Sequence, residues 1–313
     1  MALLNFRRPE MAPGPSPAER TGPLAAFPGG VSIEVMPRTA AKLADFRAVL
    51  PEGTRVYIAH IEGTPIEEMV ATAARLAADG FRVMPHFPAR LIEDRAMLGD
   101  WIARYRGEAD VREALVLAGG LSAPRGAFES SMALLETGAF DEAGFTRLHI
   151  AGHPEGNRDI DPDGGDAAVM EALAWKQAFA ERTDAEMAIA TQFAFEADPI
   201  ISWAERLRAE GINLPIHIGV AGPAKLQTLI KFAIACGVGP SLRVLQRRAM
   251  DVTKLVTPFE PTELVTALAA RKSADPAFPI DGVHLFPLGG IGASAAWAAE
   301  QGGDAPAAGE VGQ

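Results

Sequence analysis

Two polar residues interrupt apolar runs at positions where a polar group is costly to bury. Glu34 stands between Ile33 and Val35 in the run VSIEVM, and Gln192 lies near the end of EMAIATQF. A buried carboxylate needs a partner, so Glu34 is predicted either to act as an acid or base or to form a structural ion pair with Arg38. The Gln192 amide presents a donor and an acceptor in one plane, which suits the edge of a bound heterocycle but also a cross-link between strands.

Histidines recur at comparable positions along the chain. Of the six, five fall in or at the end of a short apolar run, and the sixth, His153, begins the loop after one of these runs. His86, which follows Pro85, is the best candidate for a functional role, and the others are expected mainly to be satisfied polar groups. Grouped histidines also bind zinc or iron, which leaves a metal-dependent barrel hydrolase or lyase as an alternative. No HxH pair or HExxH helix is present, however, and no metal ligand is assigned. The five histidines of the apolar runs are His60, His86, His149, His217 and His284.

Eight short runs rich in β-branched or aromatic residues are predicted to be the strands that position these groups. Longer amphipathic segments separate them, such as one expected to begin at Thr64 as N-cap and another at Asp198. Regular alternation of this kind predicts a parallel sheet, and eight repeats favour a closed (β/α)8 TIM barrel, with one or more extra helices before the last strand. The predicted strands are 31–36, 55–60, 81–86, 113–119, 145–152, 186–193, 214–219 and 281–287.

Composition and charge narrow the class of protein further. Hydrophobic residues make up 48% of the 313 residues, which is typical of a globular chain, and the net charge of −11 argues against nonspecific binding to nucleic acid. The proline-rich segment 1–30 is predicted to be a mobile arm, 31–300 the barrel and 301–313 a disordered tail. The arm has no continuous apolar stretch, so neither a signal peptide nor a membrane anchor is expected, and a cytoplasmic location follows. Cys236, the single cysteine, is expected to be a buried structural thiol.

Six motifs at predicted strand ends resemble, in order, those of the methylenetetrahydrofolate reductase family. Together they span residues 31–290, which is nearly the whole predicted barrel. EVMPRT, HPEG and TQFAF are the most specific of them. The matched pairs are SIEVMPRT (32–39) with SFEFFPPRT, VMPHF (83–87) with APHLT, IAGHPEG (150–156) with AGYPEGHP, ATQFAFE (190–196) with ITQFFFD, PIHIGVAG (215–222) with IPGILPV, and VHLFPLGG (283–290) with FHFYTLNR.

The resemblance implies a TIM barrel that carries FAD and passes a hydride from NAD(P)H, through the flavin, to 5,10-methylenetetrahydrofolate. Glu34 then corresponds to the acid that protonates N10 of the folate, and we expect burial at a strand end to keep it protonated. The substrate-binding positions implied are Gln192, Phe193, Phe195 and Leu288, with Gln192 on the pterin. The flavin-binding positions implied are His86, Gly119, Gly120, His153, Glu155, Gly156 and Lys176.

Some residues depart from the family pattern. Gly120 stands where the family has an aspartate near the flavin, Ala118 where it has an arginine, and the loop after the second strand is short. These changes keep two alternatives open: catalysis in the reverse direction, and a tetrahydrofolate-binding barrel without redox chemistry, such as a pterin methyl-transfer component. Whether the chain forms a homo-oligomer or works with a partner subunit is also left open.

Overall fold

The computed structural model of the protein describes residues 21–235, 245–246 and 258–306. Its centre is a closed barrel in which eight parallel strands follow one another in chain order, and the last pairs with the first. The predicted (β/α)8 TIM barrel is confirmed, and every predicted strand is present with its ends shifted by no more than two residues. The strands are β1 Gly30–Val35, β2 Arg55–Ile58, β3 Arg82–Pro88, β4 Glu113–Leu117, β5 Arg147–Gly152, β6 Glu186–Ala194, β7 Ile216–Ala221 and β8 Ile280–Phe286.

Helices connect the strands and cover the outside of the barrel. Two of them, α8 and α9, lie between β7 and β8, which confirms the extra helix predicted before the last strand. The helices are α1 Pro37–Ala40, α2 Ile66–Ala78, α3 Arg95–Ala109, α4 Ser131–Leu135, α5 Ala139–Glu142, α6 Ala167–Ala180, α7 Ala197–Ala209, α8 Leu226–Ala235, α9 Thr262–Ala274 and α10 Ile291–Glu300.

The two helix starts predicted from capping residues are wrong by one and two positions. Helix α2 begins after Pro65, whose ψ of 143° keeps it extended, so Pro65 and not Thr64 is the N-cap residue. Helix α7 begins after Glu196, which places Asp198 inside the first turn. A carboxylate in the first turn still interacts favourably with the positive end of the helix dipole. Asp198 therefore correctly indicated the N-terminal turn of a helix, but not its first residue.

Alternation along the strands decides which side chains enter the barrel. In β1, Ile33 and Val35 pack outward into the main apolar core, whereas Ser32 and Glu34 face the interior, where they approach residues of other strands. At the N-terminal end of the barrel, Arg55 of β2 pairs with Glu113 of β4 at 2.6 Å. Because β2 and β4 are not neighbours, this contact crosses the interior.

The segment 21–30, which its proline content assigned to the mobile arm, packs against the barrel. Leu24 and Phe27 are buried, and the Leu24 amide donates to the carbonyl of Gln301 at 3.1 Å. This hydrogen bond also ties Gln301, the first residue of the predicted tail, to the segment that precedes β1. Residues 1–20, residues 307–313 and Cys236 lie outside the described residues.

Candidate functional site

A cluster of four polar side chains lies inside the C-terminal mouth of the barrel, the end at which catalytic groups of TIM barrels are found. It consists of Ser32, Glu34, His86 and His284, and we refer to it as the acid cluster. Oε2 of Glu34 lies 3.2 Å from Nε2 of His86 and 3.8 Å from Nε2 of His284. Glu34 belongs to β1, His86 to β3 and His284 to β8, so three strands bring their side chains to one point.

The partners of Glu34 are histidines and not the arginine considered from the sequence. Arg38 is exposed, in the helix that follows β1. The Glu34 side chain is itself 20% exposed, compared with 10% for His86 and 2% for His284. Glu34 is therefore the member of this trio that is most open to a molecule entering the mouth.

His284 is held in place by Ser32. The Ser32 hydroxyl lies 3.0 Å from Nδ1 of His284, within hydrogen-bond distance, and 3.5 Å from the carbonyl of Val283. The shorter contact, together with the carboxylate on the far side of the ring, favours the tautomer in which Ser32 donates to Nδ1 and Nε2–H points toward Glu34.

The electrostatics of the cluster correct one expectation. Burial raises the pKa of Glu34, but the neighbouring imidazoles of His284 and His86 together outweigh burial and lower the pKa to about 2. The expectation of a carboxylic acid kept protonated by burial is therefore wrong, and Glu34 rests as a carboxylate. The pKa of His284 is lowered, mainly by burial and only partly offset by Glu34, which keeps this ring neutral at neutral pH.

Next to the acid cluster lies a second group of buried rings that sequence reasoning did not assign to the site. It comprises Tyr57, His149 and His217. The Tyr57 ring lies 4.2 Å from that of His284, measured between centroids, and connects the two groups. Burial lowers the pKa of His149 well below its usual range and that of His217 to about 3, so both imidazoles stay neutral.

The predicted substrate-binding residues gather at the ends of β6 and β8. Phe193 and Phe195 are buried in an apolar cluster, and Leu288 packs against it from the loop after β8. Phe286 joins this cluster to the acid cluster, since its ring centroid lies 5.3 Å from that of Phe193 and 4.9 Å from that of His284. The structure therefore places an apolar wall beside the acid cluster.

Gln192 lies at an irregularity in β6, where the register with β7 shifts. Its Oε1 accepts a hydrogen bond from the backbone amide of Phe193 at 3.0 Å. The side chain is only half-buried, and within the described residues its Nε2 has no protein partner. The donor–acceptor pair expected from the sequence is thus reduced to a pair of donors.

The predicted flavin-binding residues lie at the ends of β4 and β5. Gly119 adopts a φ of 93°, and Gly120 next to it is exposed with open space around it. After β5, the Gly156 amide donates to the His153 carbonyl at 3.0 Å, which forms a tight turn that includes Glu155. His86 does not lie with this group, because it faces Glu34.

Lys176, on the helix that follows β5, is a lysine in a buried position. It is 6% exposed on α6, and within the described part of the chain its ammonium group has no hydrogen-bond or ion-pair partner. Burial lowers its pKa to about 8, and burial together with the Lys176 charge lowers the pKa of His153 to about 4. A buried ammonium without a counterion fits a site that receives an anionic group.

The comparison with known proteins supports the fold. No protein-family profile matches the chain. Among solved structures, the chain resembles an uncharacterized protein from Clostridium thermocellum that binds two copies of 5-methyl-5,6,7,8-tetrahydrofolic acid. The TM-score is 0.54, with 10% identity over 89% of this chain and 96% of that one. A second match is the carboxyl transferase domain of Rhizobium etli pyruvate carboxylase, with oxalate, at a TM-score of 0.43 and 10% identity over 89% and 48% of the two chains. At this identity, the first match shows a shared barrel fold.

The residues that sequence reasoning missed are Ser32 and the unassigned histidines of the interior. One signal was available: Ser32 and Glu34 are two residues apart in a strand and so share a face. The sequence does not predict which histidines contact Ser32 and Glu34, because this depends on how β1, β3 and β8 are arranged around the closed barrel.

Two further properties concern the described residues alone. They contain no group of three or more His, Cys, Asp or Glu side chains arranged to hold a metal ion. None of their helices is both long enough and apolar enough to cross a membrane.

Proposed function

We propose that the protein is a flavin-dependent oxidoreductase that interconverts 5,10-methylenetetrahydrofolate and 5-methyltetrahydrofolate with NAD(P)H. The observation that carries the proposal is Glu34, a part-exposed carboxylate held inside the barrel mouth by two histidines. The six ordered motifs support the folate class of substrate. Further support comes from a structural neighbour that binds 5-methyltetrahydrofolate on the same fold.

Glu34 has a defined task in this reaction. The methylene carbon of the substrate is bonded to N5 and N10, and its bond to N10 must open before that carbon accepts a hydride. Protonation of N10 makes this nitrogen a leaving group, and a positioned acid contributes about 10²–10⁴-fold to such a step. Glu34 is the exposed member of the acid cluster and delivers this proton.

The neighbouring residues orient the substrate. The Nε2 donors of Gln192, which have no partner among the described residues, would bind acceptors on the pterin edge. The apolar cluster that contains Phe193, Phe195 and Leu288 forms a wall on which flat rings pack. This wall excludes water from the carbon that receives the hydride.

FAD is the proposed cofactor, and it supplies the hydride transfer when bound. Lys176 fits its pyrophosphate, because the buried ammonium otherwise has no counterion among the described residues. The turn His153–Gly156 and the glycines Gly119 and Gly120 would also line the flavin site.

A second candidate function is tetrahydrofolate binding without redox chemistry. Gly120 favours it, because no side chain stands where the resembled family places an acid beside the flavin, and the surrounding space is open. Folate binding would then use Gln192 and the apolar wall, as in the first candidate. The two functions differ in whether the protein binds a flavin.

The absorption spectrum of the purified protein and its folate titration test these candidates together. The oxidoreductase predicts flavin bands, binding of 5-methyltetrahydrofolate and oxidation of NADH or NADPH that depends on methylenetetrahydrofolate. Folate binding by a protein that takes up no FAD would support the second candidate, and absence of folate binding would reject both. Glu34→Gln should bind folate within about twofold of wild type, yet lose about 10²-fold or more of folate turnover. Transfer from nicotinamide to flavin should survive, and equal loss of both half-reactions would make Glu34 structural.

A further inference from the structure

We propose that Glu34 and His86 share one proton and act as a single general acid, with His284 as a positioning residue anchored on Ser32. The inference rests on the proposed function, since it names the source of the proton that opens the folate bridge. It begins from a conflict: the step requires an acid, but Glu34 rests as a carboxylate between two histidines.

Burial decides how His86 takes part. Its Nε2 is out of contact with solvent and makes no aligned hydrogen bond, although it lies 3.2 Å from Oε2 of Glu34. A ligand in the mouth therefore cannot take a proton from this nitrogen directly. The Glu34 side chain is 20% exposed and lies 3.2 Å from this nitrogen, so a proton on His86 reaches the ligand through the carboxylate.

The geometry of His284 gives it a positioning role, unlike the proton-carrying role of His86. Its Nδ1 is engaged by Ser32, and its Nε2 is 3.8 Å from Glu34, too far for a hydrogen bond. This ring is neutral and restrained by Ser32, so it limits the space in which the carboxylate can turn without supplying the proton. Beside the cluster, Tyr57 of β2 has a pKa raised by burial and stays a neutral phenol. His60 is a second titratable neighbour, and its pKa is lowered by burial and, to a smaller extent, by His86.

The proton transfer balances as follows. The Nε2–H bond of the His86 imidazolium breaks as a carboxyl proton forms on Glu34, and that proton then bonds to N10 of the folate. The bond between N10 and the methylene carbon breaks, its electron pair stays on N10, and the carbon becomes an iminium ion. His86 is left neutral and Glu34 is again a carboxylate. The part-exposed Glu34 then takes up a proton from solvent and passes it back to Nε2 of His86.

The kinetic test compares three glutamine variants in the reaction of the reduced, FAD-loaded protein with methylenetetrahydrofolate over a range of pH. His86→Gln keeps a hydrogen-bonding side chain but cannot carry the proton, and we expect a loss of about 10²-fold or more and a flattened pH profile. His284→Gln should lower the rate but keep the shape of the profile. His60→Gln is the matched control, because His60 follows β2, contacts the Thr64 carbonyl at 3.0 Å and packs against the Trp101 ring. It should leave both rate and profile unchanged.

A second readout does not depend on activity. In imidazole-nitrogen NMR of the ligand-free protein at one fixed pH, Glu34→Gln should shift the Nε2 resonance of His86, because the carboxylate 3.2 Å away is gone. The resonances of His60 should not move. An unmoved His86 resonance, or wild-type rate and pH profile in a folded His86→Gln variant, would overturn the shared proton while the folate activity of the wild type stands. A wild type that neither binds nor converts folate instead rejects the proposed function.

Discussion

The phenolic oxygen of Tyr57 lies 2.5 Å from Nδ1 of His149, across the interior of the barrel from β2 to β5. Because burial keeps both groups neutral, the phenol donates and the ring nitrogen accepts. On its other side, His149 packs against His217, with ring centroids 4.8 Å apart. Part of the barrel centre is therefore built from neutral polar rings. Removing a hydrogen-bond partner or lowering the pH should reduce the free energy of unfolding.

The two tyrosines of the chain give a matched pair of substitutions. Tyr57→Phe leaves the buried Nδ1 of His149 without a donor and should lower the free energy of unfolding by about 1–3 kcal/mol. Tyr105 is equally buried, but its hydroxyl has no hydrogen-bond partner within the described residues. Tyr105→Phe should therefore be neutral or stabilising by about 0.5 kcal/mol. Urea unfolding of both variants measures the difference, and equal losses would contradict the assigned hydrogen bond.

Acidification should destabilise the protein well before its carboxylates titrate. The folded-state pKa values of His149 and His217 lie below the ordinary value of 6.5, so the unfolded chain binds more protons as the pH falls through 6.5. Each histidine should then remove about 1.4 kcal/mol of stability per pH unit, down to its folded pKa. The contribution of Glu34, whose pKa is lowered from 4.5 to about 2, is lost only below pH 4.5.

Urea unfolding at pH 7 and pH 5 measures this slope. His217→Gln should make the loss in free energy of unfolding between pH 7 and pH 5 smaller by the contribution of one histidine. This holds even if the variant is less stable than wild type at pH 7. A wild type with the same free energy of unfolding at both pH values would show that these imidazoles are protonated in the folded protein.

The sequence was sufficient for the fold because each strand and helix carried its own local signal. Apolar periodicity located every strand, and eight repeats indicated closure into a barrel. The position of Glu34 inside a strand also pointed correctly to a carboxylate that needs partners. Its partners, His86 and His284, come from strands distant in the chain, and no local pattern records which residues a closed barrel brings together. The protonation state of Glu34 was also predicted wrongly. Burial alone would keep its carboxyl group protonated, but the two neighbouring histidines outweigh this effect.

Lys176 should destabilise the ligand-free protein. Lys176→Met removes an ammonium that has no partner among the described residues while preserving much of the buried volume, and it should raise the free energy of unfolding at pH 7 by about 1–3 kcal/mol. The same substitution should weaken FAD binding about 10-fold or more, because a charge-assisted contact to phosphate is lost. Lys42→Met, at an exposed lysine, is the control and should change neither quantity. Lower stability of Lys176→Met without FAD would mean that the ammonium already has a partner.

The glycines after β4 are expected to differ sharply in their tolerance of a side chain. At Gly119 the φ of 93° is unfavourable for any other residue, and an added Cβ would lie 2.9 Å from Cβ of Pro88. Gly119→Ala should therefore cost about 1–3 kcal/mol of stability. Gly120 has open space around its missing side chain, so Gly120→Ala should stay within about 0.5 kcal/mol of wild type. Thermal and urea unfolding of the two variants checks this, and a larger loss at Gly120 would mean that the loop after β4 packs differently from the arrangement described.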